Sequence, residues 1–329
     1  MSSDKDLREK VCKLNIDLQR YGLVAWTAGN VSERMSDGKR FMIKPSGVSY
    51  EDLKPSQMII CDLDGNVLGT AANGGANWER SGINSVQESL NAIIDEALSS
   101  ASVSRSNIVA STFALAGIDW EEDLDLFIPV IKALALDGRC ELINDSFAAL
   151  FAGAPNGIGC VSIAGTGGKS AGRDGVRTVQ TMGMDLGEGG GAGQLIGLTL
   201  ESVARSFHGI SPRTQLFTTV PRALGYEDPK TFFTAIARDR VHPDESLAPV
   251  IFDLANAGDS AAIEVVTHVA KQHARDIQGI VLQLNFPAGA IPVVRAGGLH
   301  TANCAVFNDA FESELRVLVP QAAMSVLDI

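Results

Sequence analysis

The sequence predicts an α/β protein in which strands alternate with helices and ligand-binding turns follow the strands. From residue 71 onward, short apolar runs typical of buried strands, such as residues 108–115 and 141–144, alternate with stretches of helical apolar spacing. Two strands, residues 159–163 and 291–295, run directly into glycine-rich turns. In open α/β sheets ligands bind at the carboxyl ends of the strands, so these turns are candidate binding sites.

Composition sets the broad class and excludes several partners. A chain of 329 residues has the length of about two domains. Its net charge of −12 lies entirely in residues 71–329, and no run of Lys and Arg stands out. This distribution argues against nucleic acid or an anionic membrane as a partner. No apolar stretch is long enough to span a membrane, and the mixed-charge first ten residues do not resemble a signal peptide, so we expect a cytoplasmic protein.

Cysteine and histidine spacing gives no metal site. The five cysteines are far apart and form no C-x-x-C pair, which fits a reducing compartment rather than a disulfide framework or structural zinc. The five histidines include no H-x-H and no H-E-x-x-H pattern. We therefore predict no resident metal from spacing.

The elements follow from periodicity. Leu7, Val11, Leu14 and Leu18 lie on one face of a helix that should end before Tyr21. A strand over residues 40–44 and a hairpin over residues 57–70, turning at an Asp-Gly pair, complete the first segment. Beyond it the pattern predicts strands at residues 108–115, 141–144, 159–163 and 291–295, and helices at residues 84–99, 122–136, 195–207, 231–239 and 261–284.

The glycine-rich turn at residues 165–168 is the strongest local signal for chemistry. Glycines let backbone N–H groups point at a phosphate without Cβ obstruction, and Thr166 adds a hydroxyl donor. The spacing does not match the P-loop pattern. A purely structural tight turn is the alternative interpretation.

Two acidic positions are candidates for chemistry. Asp145 follows the strand at residues 141–144, where a carboxylate could act as general base, although a helix N-cap explains the same position equally well. Residues 183–191 carry Asp185 and Glu188 in a glycine-dense loop that could contact sugar hydroxyls or a metal ion, or could be a flexible connection.

The order of these motifs resembles a known family. Residues from about 59 to 310 resemble the N-acetylglucosamine-kinase-like, BadF/BadG-type ATPase branch of the actin-like sugar-kinase superfamily. The matching motifs, in order, are the D-x-D-G hairpin at residues 62–65, the Gly/Asn loop at residues 74–77, the A-x-A-G run at residues 114–117, the Asn-Asp pair at residues 144–145, the phosphate motif at residues 163–167 and the adenosine motif at residues 296–298.

The resemblance implies an α/β, actin-like (ribonuclease H-like) ATPase fold of two lobes, with ATP and Mg²⁺ as cofactors and a small-molecule sugar as substrate. It implies Asp145 as the catalytic base. The implied sugar-binding residues are Asn77, Asp119, Asn144 and Glu188, and the implied ATP-binding residues are Gly165, Thr166, Gly167, Gly297 and Gly298. Where the family has G-D-E-G, residues 187–190 read G-E-G-G, with one carboxylate fewer.

Residues 1–58 depart from this family, because they lack its first phosphate loop, D-x-G-x-T-x-T. They resemble instead the N-terminus of class II aldolase and L-ribulose-5-phosphate 4-epimerase proteins, through residues 23–32 and 43–48. In that family the matching positions, Gly29, Asn30, Ser46 and Gly47, bind a substrate phosphate, but the zinc histidines and the rest of its sheet are absent here.

The sequence is thus interpreted as a fusion of two partial segments. We predict a class II aldolase-like segment over residues 1–65, an incomplete first actin-like lobe over residues 66–160, and a second lobe with the ATP-binding loops over residues 161–329. An incomplete first sheet would leave an unpaired edge, which favours a homodimer.

Three functions stay open at this point. The first is an ATP-dependent sugar kinase that phosphorylates N-acetylglucosamine or a related amino sugar. One version of this hypothesis, which the motifs themselves do not require, has residues 40–44 replace the missing first strand, with Lys44, Ser46 and Gly47 contacting phosphate. The second is a non-catalytic nucleotide- or sugar-binding protein. The third is a class II aldolase or epimerase, for which the zinc ligands are missing.

Overall fold

The computed structural model describes residues 4–20, 31–35, 38–44, 50, 53–55, 58–62, 71, 77–101, 103–136, 138–154 and 156–327. The chain divides into two compact units, Met1–Asn144 and Asp145–Ile329. The predicted hairpin turn and the predicted phosphate-binding residues Gly29, Asn30, Ser46 and Gly47 lie outside the described residues. The three-part division of the chain stays a prediction.

The first unit opens with a small antiparallel sheet packed on a helix. Helix α1 (Asp4–Arg20) ends where the sequence predicts. Strands β1 (Ser32–Arg34), β2 (Arg40–Ile43) and β3 (Ile59–Asp62) pair in the order β1-β2-β3. The buried side chains of this layer form a core of their own, made of Leu7, Val11, Cys12, Met35, Met42, Tyr50, Leu53 and Met58.

This sheet does not supply the missing first strand of an actin-like lobe. Strand β2 pairs antiparallel with β1 on one edge and with β3 on the other, so it has no free edge for a further strand. The Lys44 side chain is only 2% exposed, and its ammonium group lies 4.9 Å from the centre of the Tyr50 ring. The expectation that residues 40–44 replace the first strand, with Lys44 contacting phosphate, is therefore wrong.

The second part of this unit has a separate core. It comprises α2 (Trp78–Ser81), α3 (Ile83–Ala101), β4 (Ala110–Leu115), α4 (Glu121–Ala133) and β5 (Arg139–Asn144), with a 3₁₀ turn at Arg105–Asn107. Strands β4 and β5 are parallel, and their last residues, Leu115 and Asn144, are partners in the register. Val86, Leu90, Phe113, Leu115, Ile118, Phe127, Val130 and Leu134 form the core against α3 and α4.

The second unit contains a five-stranded sheet in the order β10-β9-β6-β7-β8. Its strands are β6 (Gly159–Ala164), β7 (Gly168–Arg173), β8 (Thr178–Gln180), β9 (Ile291–Ala296) and β10 (Ala322–Val326). Only β7 runs antiparallel to the others. This order and direction are those of the ribonuclease H-like fold, as expected for an actin-like lobe.

Helices cover this sheet and enclose the main core. They are α5 (Asp145–Gly153), α6 (Ala192–Phe207), α7 (Leu216–Ala223), α8 (Pro229–Ile236), α9 (Ala248–Asn256), α10 (Ser260–Gln283), α11 (Gly298–Thr301) and α12 (Ala305–Leu318). The central element is α10, which packs on α12, α9, α6 and strands β6 and β7. Within the described part of the chain, no helix combines the length and apolar character needed to cross a bilayer.

Strand β7 was not predicted, because its sequence, GKSAGR, contains no β-branched or aromatic residue. Small residues are needed there because neighbours lie very close. A Cβ on Gly172 would lie 2.5 Å from the Ile280 side chain on α10. Tertiary contact, rather than local propensity, therefore defines this strand.

The core of the second unit can be tested with one substitution at two positions. We expect Leu195→Ala, at a fully buried position of α6, to lower the free energy of unfolding by about 3 kcal/mol, through lost burial and a cavity. Leu282→Ala, at a position of α10 that is 78% exposed, should change it by less than about 0.5 kcal/mol. Denaturant unfolding of both variants checks the pair, and equal effects would contradict the assignment of the core.

Candidate functional site

The predicted phosphate turn joins strands β6 and β7 and rests on the start of helix α6. Within the turn, the Gly165 N–H donates to the Gly167 carbonyl at 2.9 Å. From α6, the Ala192 N–H donates to the Gly165 carbonyl at 2.8 Å, and the Gly193 N–H donates to the Thr166 carbonyl at 3.2 Å. Two of the N–H groups that a helix leaves unpaired at its start are thus used to hold this turn.

Glycine is required where the turn meets the segment before α6. A Cβ on Gly168 would lie 2.0 Å from the Gly189 carbonyl oxygen, and one on Gly191 would lie 2.4 Å from the carbonyl oxygens of Gly165 and Gly167. Both distances are shorter than any real Cβ contact, so two backbone segments approach as closely as backbones can. These glycines have a packing role that the sequence pattern alone does not reveal.

The second predicted glycine turn lies beside the first. Strand β9 is parallel to β6, and the turn at its end has Gly297 at φ 88°, in a region that L side chains rarely adopt. A Cβ on Gly297 would lie 2.7 Å from the carbonyl group of Ala164, the last residue of β6. The two turns therefore meet at the carboxyl ends of neighbouring parallel strands.

A cavity of about 520 Å³ opens between these turns and helix α9. Of the predicted ATP-binding residues, Gly165, Thr166 and Gly298 line it, whereas Gly167 and Gly297 belong to the same turns without lining it. The remaining lining residues are Ala192, Glu245, Ala248, Pro249, Phe252, Asp253, Leu299, Ala302 and Asn303.

Sequence reasoning missed the wall that α9 contributes. Phe252 and Leu299 are almost fully buried, so in the sequence they look like ordinary helix core. Asp253 of α9, Glu245 and Asn303 are polar residues of the same lining, and no motif marks any of them. Only the tertiary structure brings these residues to the turns.

The glycine-dense loop that carries Glu188 is held on both sides rather than being a free connection. Gln194 of α6 accepts from the Gly190 N–H at 2.9 Å. On α10, Asp276 accepts from the Gly189 N–H at 2.7 Å, and His273 Nε2 lies 2.9 Å from the Gly190 carbonyl oxygen. Glu188 itself is 5% exposed and accepts from the Met184 N–H.

Burial shifts the pKa values of Asp276 and His273, both on α10, in opposite directions. The pKa of the Asp276 carboxyl is raised to about 7, chiefly by burial and also by the nearby charge of Glu188, while the Gly189 hydrogen bond acts in the lowering direction. Burial lowers the pKa of His273 to about 4. At neutral pH the histidine is therefore uncharged, whereas Asp276 titrates near neutrality.

Three of the predicted sugar-binding residues lie together in the first unit, at the carboxyl ends of β4 and β5. The Asn144 side-chain amide donates to Asp119 Oδ1 at 3.0 Å and to the Ile118 carbonyl at 3.2 Å. Asp123 accepts from the N–H groups of Asp119 and Trp120, both at 2.8 Å, which fixes this turn. Asn144 is buried and Asp119 is half-buried.

Asn77 joins this cluster through Gly117. The Asn77 side chain caps α2 by accepting from the Glu79 N–H, and the indole N–H of Trp78 donates to the Gly117 carbonyl at 2.6 Å. Gly117 has φ 79°, and a Cβ there would lie 3.6 Å from Asn77 Oδ1. Asn77, Asp119 and Asn144 are thus neighbours, whereas the fourth predicted sugar-binding residue, Glu188, lies in the second unit.

Asp145, the predicted base, directly follows β5 and is the exposed first residue of α5. Its catalytic role and the sugar contacts stay predictions. No group of three or more His, Cys, Asp or Glu side chains among the described residues could hold a metal ion.

Comparison with known proteins identifies the family. The BadF/BadG/BcrA/BcrD ATPase family matches residues 56–323, and the class II aldolase and adducin N-terminal domain matches residues 9–83. The first match covers most of the chain, so the chain belongs to the BadF/BadG/BcrA/BcrD ATPase family. Both resemblances predicted from the sequence are confirmed.

Two curated relatives match the first segment. A candidate L-ribulose-5-phosphate 4-epimerase of Mycoplasma pneumoniae is 49% identical over 65 residues, which are 20% of this chain and 27% of the relative. An L-ribulose-5-phosphate 4-epimerase of Salmonella paratyphi B is 47% identical over 62 residues, 19% of this chain and 27% of the relative. The chain thus spans about a quarter of the length of these relatives.

Solved structures match nearly the whole chain. A candidate N-acetylglucosamine kinase of Chromobacterium violaceum aligns over 87% of this chain and 91% of its own, with a TM-score of 0.59 and 18% identity. A candidate N-acetylglucosamine kinase of Porphyromonas gingivalis aligns over 92% and 95%, with a TM-score of 0.52 and 16% identity. These matches confirm the actin-like fold. The matched family is one of ATPases.

The close approach of the two glycine segments gives a matched test. We expect Gly168→Ala to lower the melting temperature by about 5 °C or more, because its Cβ collides with the backbone at Gly189 and Gly190. Gly167→Ala should change it by no more than about 1 °C, since nothing lies within 4 Å of its Cβ position. Thermal unfolding without nucleotide measures both, and a stable Gly168→Ala variant would contradict the packing described.

The raised pKa of Asp276 predicts that Asp276→Asn stabilises the folded protein more and more as the pH rises. Between about pH 4 and 7 the folded state holds this proton and the unfolded state does not, so stability from this group falls as pH rises. The variant should match the parent near pH 4.5 and melt on the order of 5 °C higher at pH 8.

Melting curves across pH 4.5–8 check this prediction. The exposed Asp309→Asn change on α12 is the control and should show no such pH-dependent difference. A difference between Asp276→Asn and the parent that stays constant or reverses with pH would contradict the burial argument.

Proposed function

We propose that this protein is an ATP-dependent sugar kinase that phosphorylates N-acetylglucosamine or a related amino sugar. The observation that carries this proposal is the cavity of the second unit, on which two glycine turns and the start of α6 converge. Glycine turns at strand ends are suited to phosphate, because their backbone N–H groups can approach an anion without obstruction.

The rest of the cavity lining is chemically suited to binding a nucleoside. Phe252, Leu299 and the alanines of the lining offer apolar surface for an adenine ring. Asp253 and Asn303 offer polar atoms of the kind that hydrogen-bond ribose hydroxyls. In this proposal the phosphates of ATP lie toward Gly165, Thr166 and Gly167, with Gly297 and Gly298 toward the adenosine.

The proposed sugar contacts are Asn77, Asp119 and Asn144 in the first unit and Glu188 in the second. Sugar hydroxyls both donate and accept, so a mixture of carboxylates and amides held by other hydrogen bonds is chemically suited to them. The names of the two structural neighbours, both candidate N-acetylglucosamine kinases, support an amino sugar as the substrate class.

The proposed reaction is transfer of the γ-phosphoryl group to a sugar hydroxyl. Asp145 accepts the hydroxyl proton, the sugar oxygen bonds to the γ-phosphorus, and the bond to the leaving ADP oxygen breaks. Mg²⁺ is proposed to accompany ATP, since magnesium in such sites is held largely by substrate phosphates and water rather than by a protein cage.

A non-catalytic nucleotide-binding protein is the second candidate, and one specific observation favours it. Residues 1–58 lack the first phosphate loop of the family, and the described strands there form an antiparallel sheet of their own. Loss of a group of donors to the transferred phosphate costs transition-state stabilisation, on the order of 3–4 kcal/mol for one donor in other enzymes. Binding without turnover is the result that this candidate predicts.

The kinase proposal is tested by ADP release from Mg-ATP with a panel of sugars that includes N-acetylglucosamine. We expect sugar-dependent release, and a loss of kcat of about 10²- to 10⁴-fold in Asp145→Asn, because a general base contributes this much. Asp119→Asn should act differently and mainly raise the KM for sugar, since Asp119 is proposed to contact the sugar and not to take its proton.

The two variants separate the roles. If Asp119→Asn abolishes kcat while Asp145→Asn leaves it intact, the base assignment to Asp145 is wrong. If the folded parent binds ATP but turns over no sugar, the non-catalytic candidate replaces the kinase.

A further inference from the structure

A chain of buried polar side chains connects the segments around the nucleotide cavity without lining it. Ser162 is fully buried in β6. Its Oγ lies 3.1 Å from His273 Nδ1 on α10 and 3.0 Å from His300 Nε2 on α11. The two imidazole rings are 5.5 Å apart and meet edge to face, and His273 and His300 are 0% and 2% exposed.

The Gly190 carbonyl fixes the direction of every hydrogen bond in this chain. A carbonyl oxygen only accepts, so His273 Nε2, 2.9 Å away, must carry the proton. Since burial keeps His273 neutral, its Nδ1 has a lone pair and accepts the Ser162 hydroxyl proton. Ser162 Oγ then accepts from His300 Nε2–H.

The last member of the chain agrees with this assignment. A neutral His300 that donates through Nε2 has an unprotonated Nδ1. No described residue forms a hydrogen bond with His300 Nδ1, so the nitrogen without a partner is the acceptor and the proton is on Nε2, where it is used. Burial lowers the pKa of His300 well below its ordinary value, and the positive charge of Arg295 lowers it as well.

The hydrogen-bonded side chains Ser162, His273 and His300 connect the parts of the fold that must keep their relative positions for nucleotide binding. At one end His273 holds the Gly190 carbonyl, in the segment on which the turn at residues 165–168 rests. In the middle Ser162 lies in β6, three residues before that turn. At the other end His300 belongs to the turn after β9, where its own N–H donates to the Gly297 carbonyl at 3.0 Å.

We propose that His273 is a positioning residue of the nucleotide site, whose Nε2–H fixes the Gly189–Gly191 segment on which the turn at residues 165–168 rests. This inference rests on the proposed function in that it takes the cavity as the ATP site. His273 does not line the cavity, so it acts through the backbone that it holds.

Two substitutions divide the functions of the imidazole. A Gln amide can place its N–H₂ near the position of Nε2, so His273→Gln keeps a donor to Gly190 and gives up the Ser162 contact. An Asn amide reaches only the position of Nδ1, so His273→Asn keeps a partner for Ser162 and loses the donor to Gly190. His268→Asn, at an exposed position of the same helix, is the control.

Equilibrium binding of Mg-ATP to the full chain is the first readout. We expect His273→Asn to weaken binding about tenfold, equivalent to about 1.4 kcal/mol, with the KM for sugar unchanged. His273→Gln and His268→Asn should stay within about threefold of the parent. Equal affinities in folded His273→Asn and His273→Gln would overturn the inference.

Hydrogen exchange without nucleotide is the second readout and does not depend on ATP binding. The amides of residues 187–193 should exchange faster in His273→Asn than in His273→Gln, while the strands β9 and β10 stay protected. Unchanged exchange in that segment would overturn the positioning role. A parent that binds no ATP but shows the expected exchange would contradict the proposed function alone.

Discussion

The second unit depends on the contact between two glycine-lined backbone segments, the turn at residues 165–168 and the segment at residues 189–191. The contact is so close that no Cβ fits at Gly168 or Gly191, and helix α6 begins from it by donating N–H groups to the turn. Because the backbones touch, the position of one segment determines the position of the other. Everything that holds residues 189–191 therefore also shapes the turn at residues 165–168.

That constraint explains why polar groups are buried on α10. Buried polar side chains cost free energy unless they form hydrogen bonds, and His273 and Asp276 both bond the glycine segment. A segment of consecutive glycines has no side chains of its own for packing, and the entropy lost when it is ordered is large. Hydrogen bonds to its backbone from a well-packed helix offset that cost, and α10 is the helix that packs most widely in this unit.

The first unit shows a different organisation, with two cores rather than one. The core of α1 and its three-stranded sheet shares no residue with the core of α3, β4 and α4. The two family matches follow the same division, with their overlap at residues 56–83. A chain joined from segments of two families can fold locally in this way because each segment keeps the apolar residues of its own layer. The buried residues of the large core of the second unit, from Cys160 to Val319, all lie within the ATPase match.

The sequence by itself determined the long helices, the strands β4, β5, β6 and β9, the two glycine turns and the family, because apolar periodicity and ordered motifs are properties of neighbouring residues. Only the tertiary structure decided that β7 is a strand, that α9 forms a wall of the cavity, and that residues 40–44 do not replace the missing strand. Each of these depends on contacts between residues distant in sequence, such as Gly172 with Ile280 or β2 with both β1 and β3. For the same reason, no pattern in the sequence marks His273, whose partners lie more than eighty positions away in the chain.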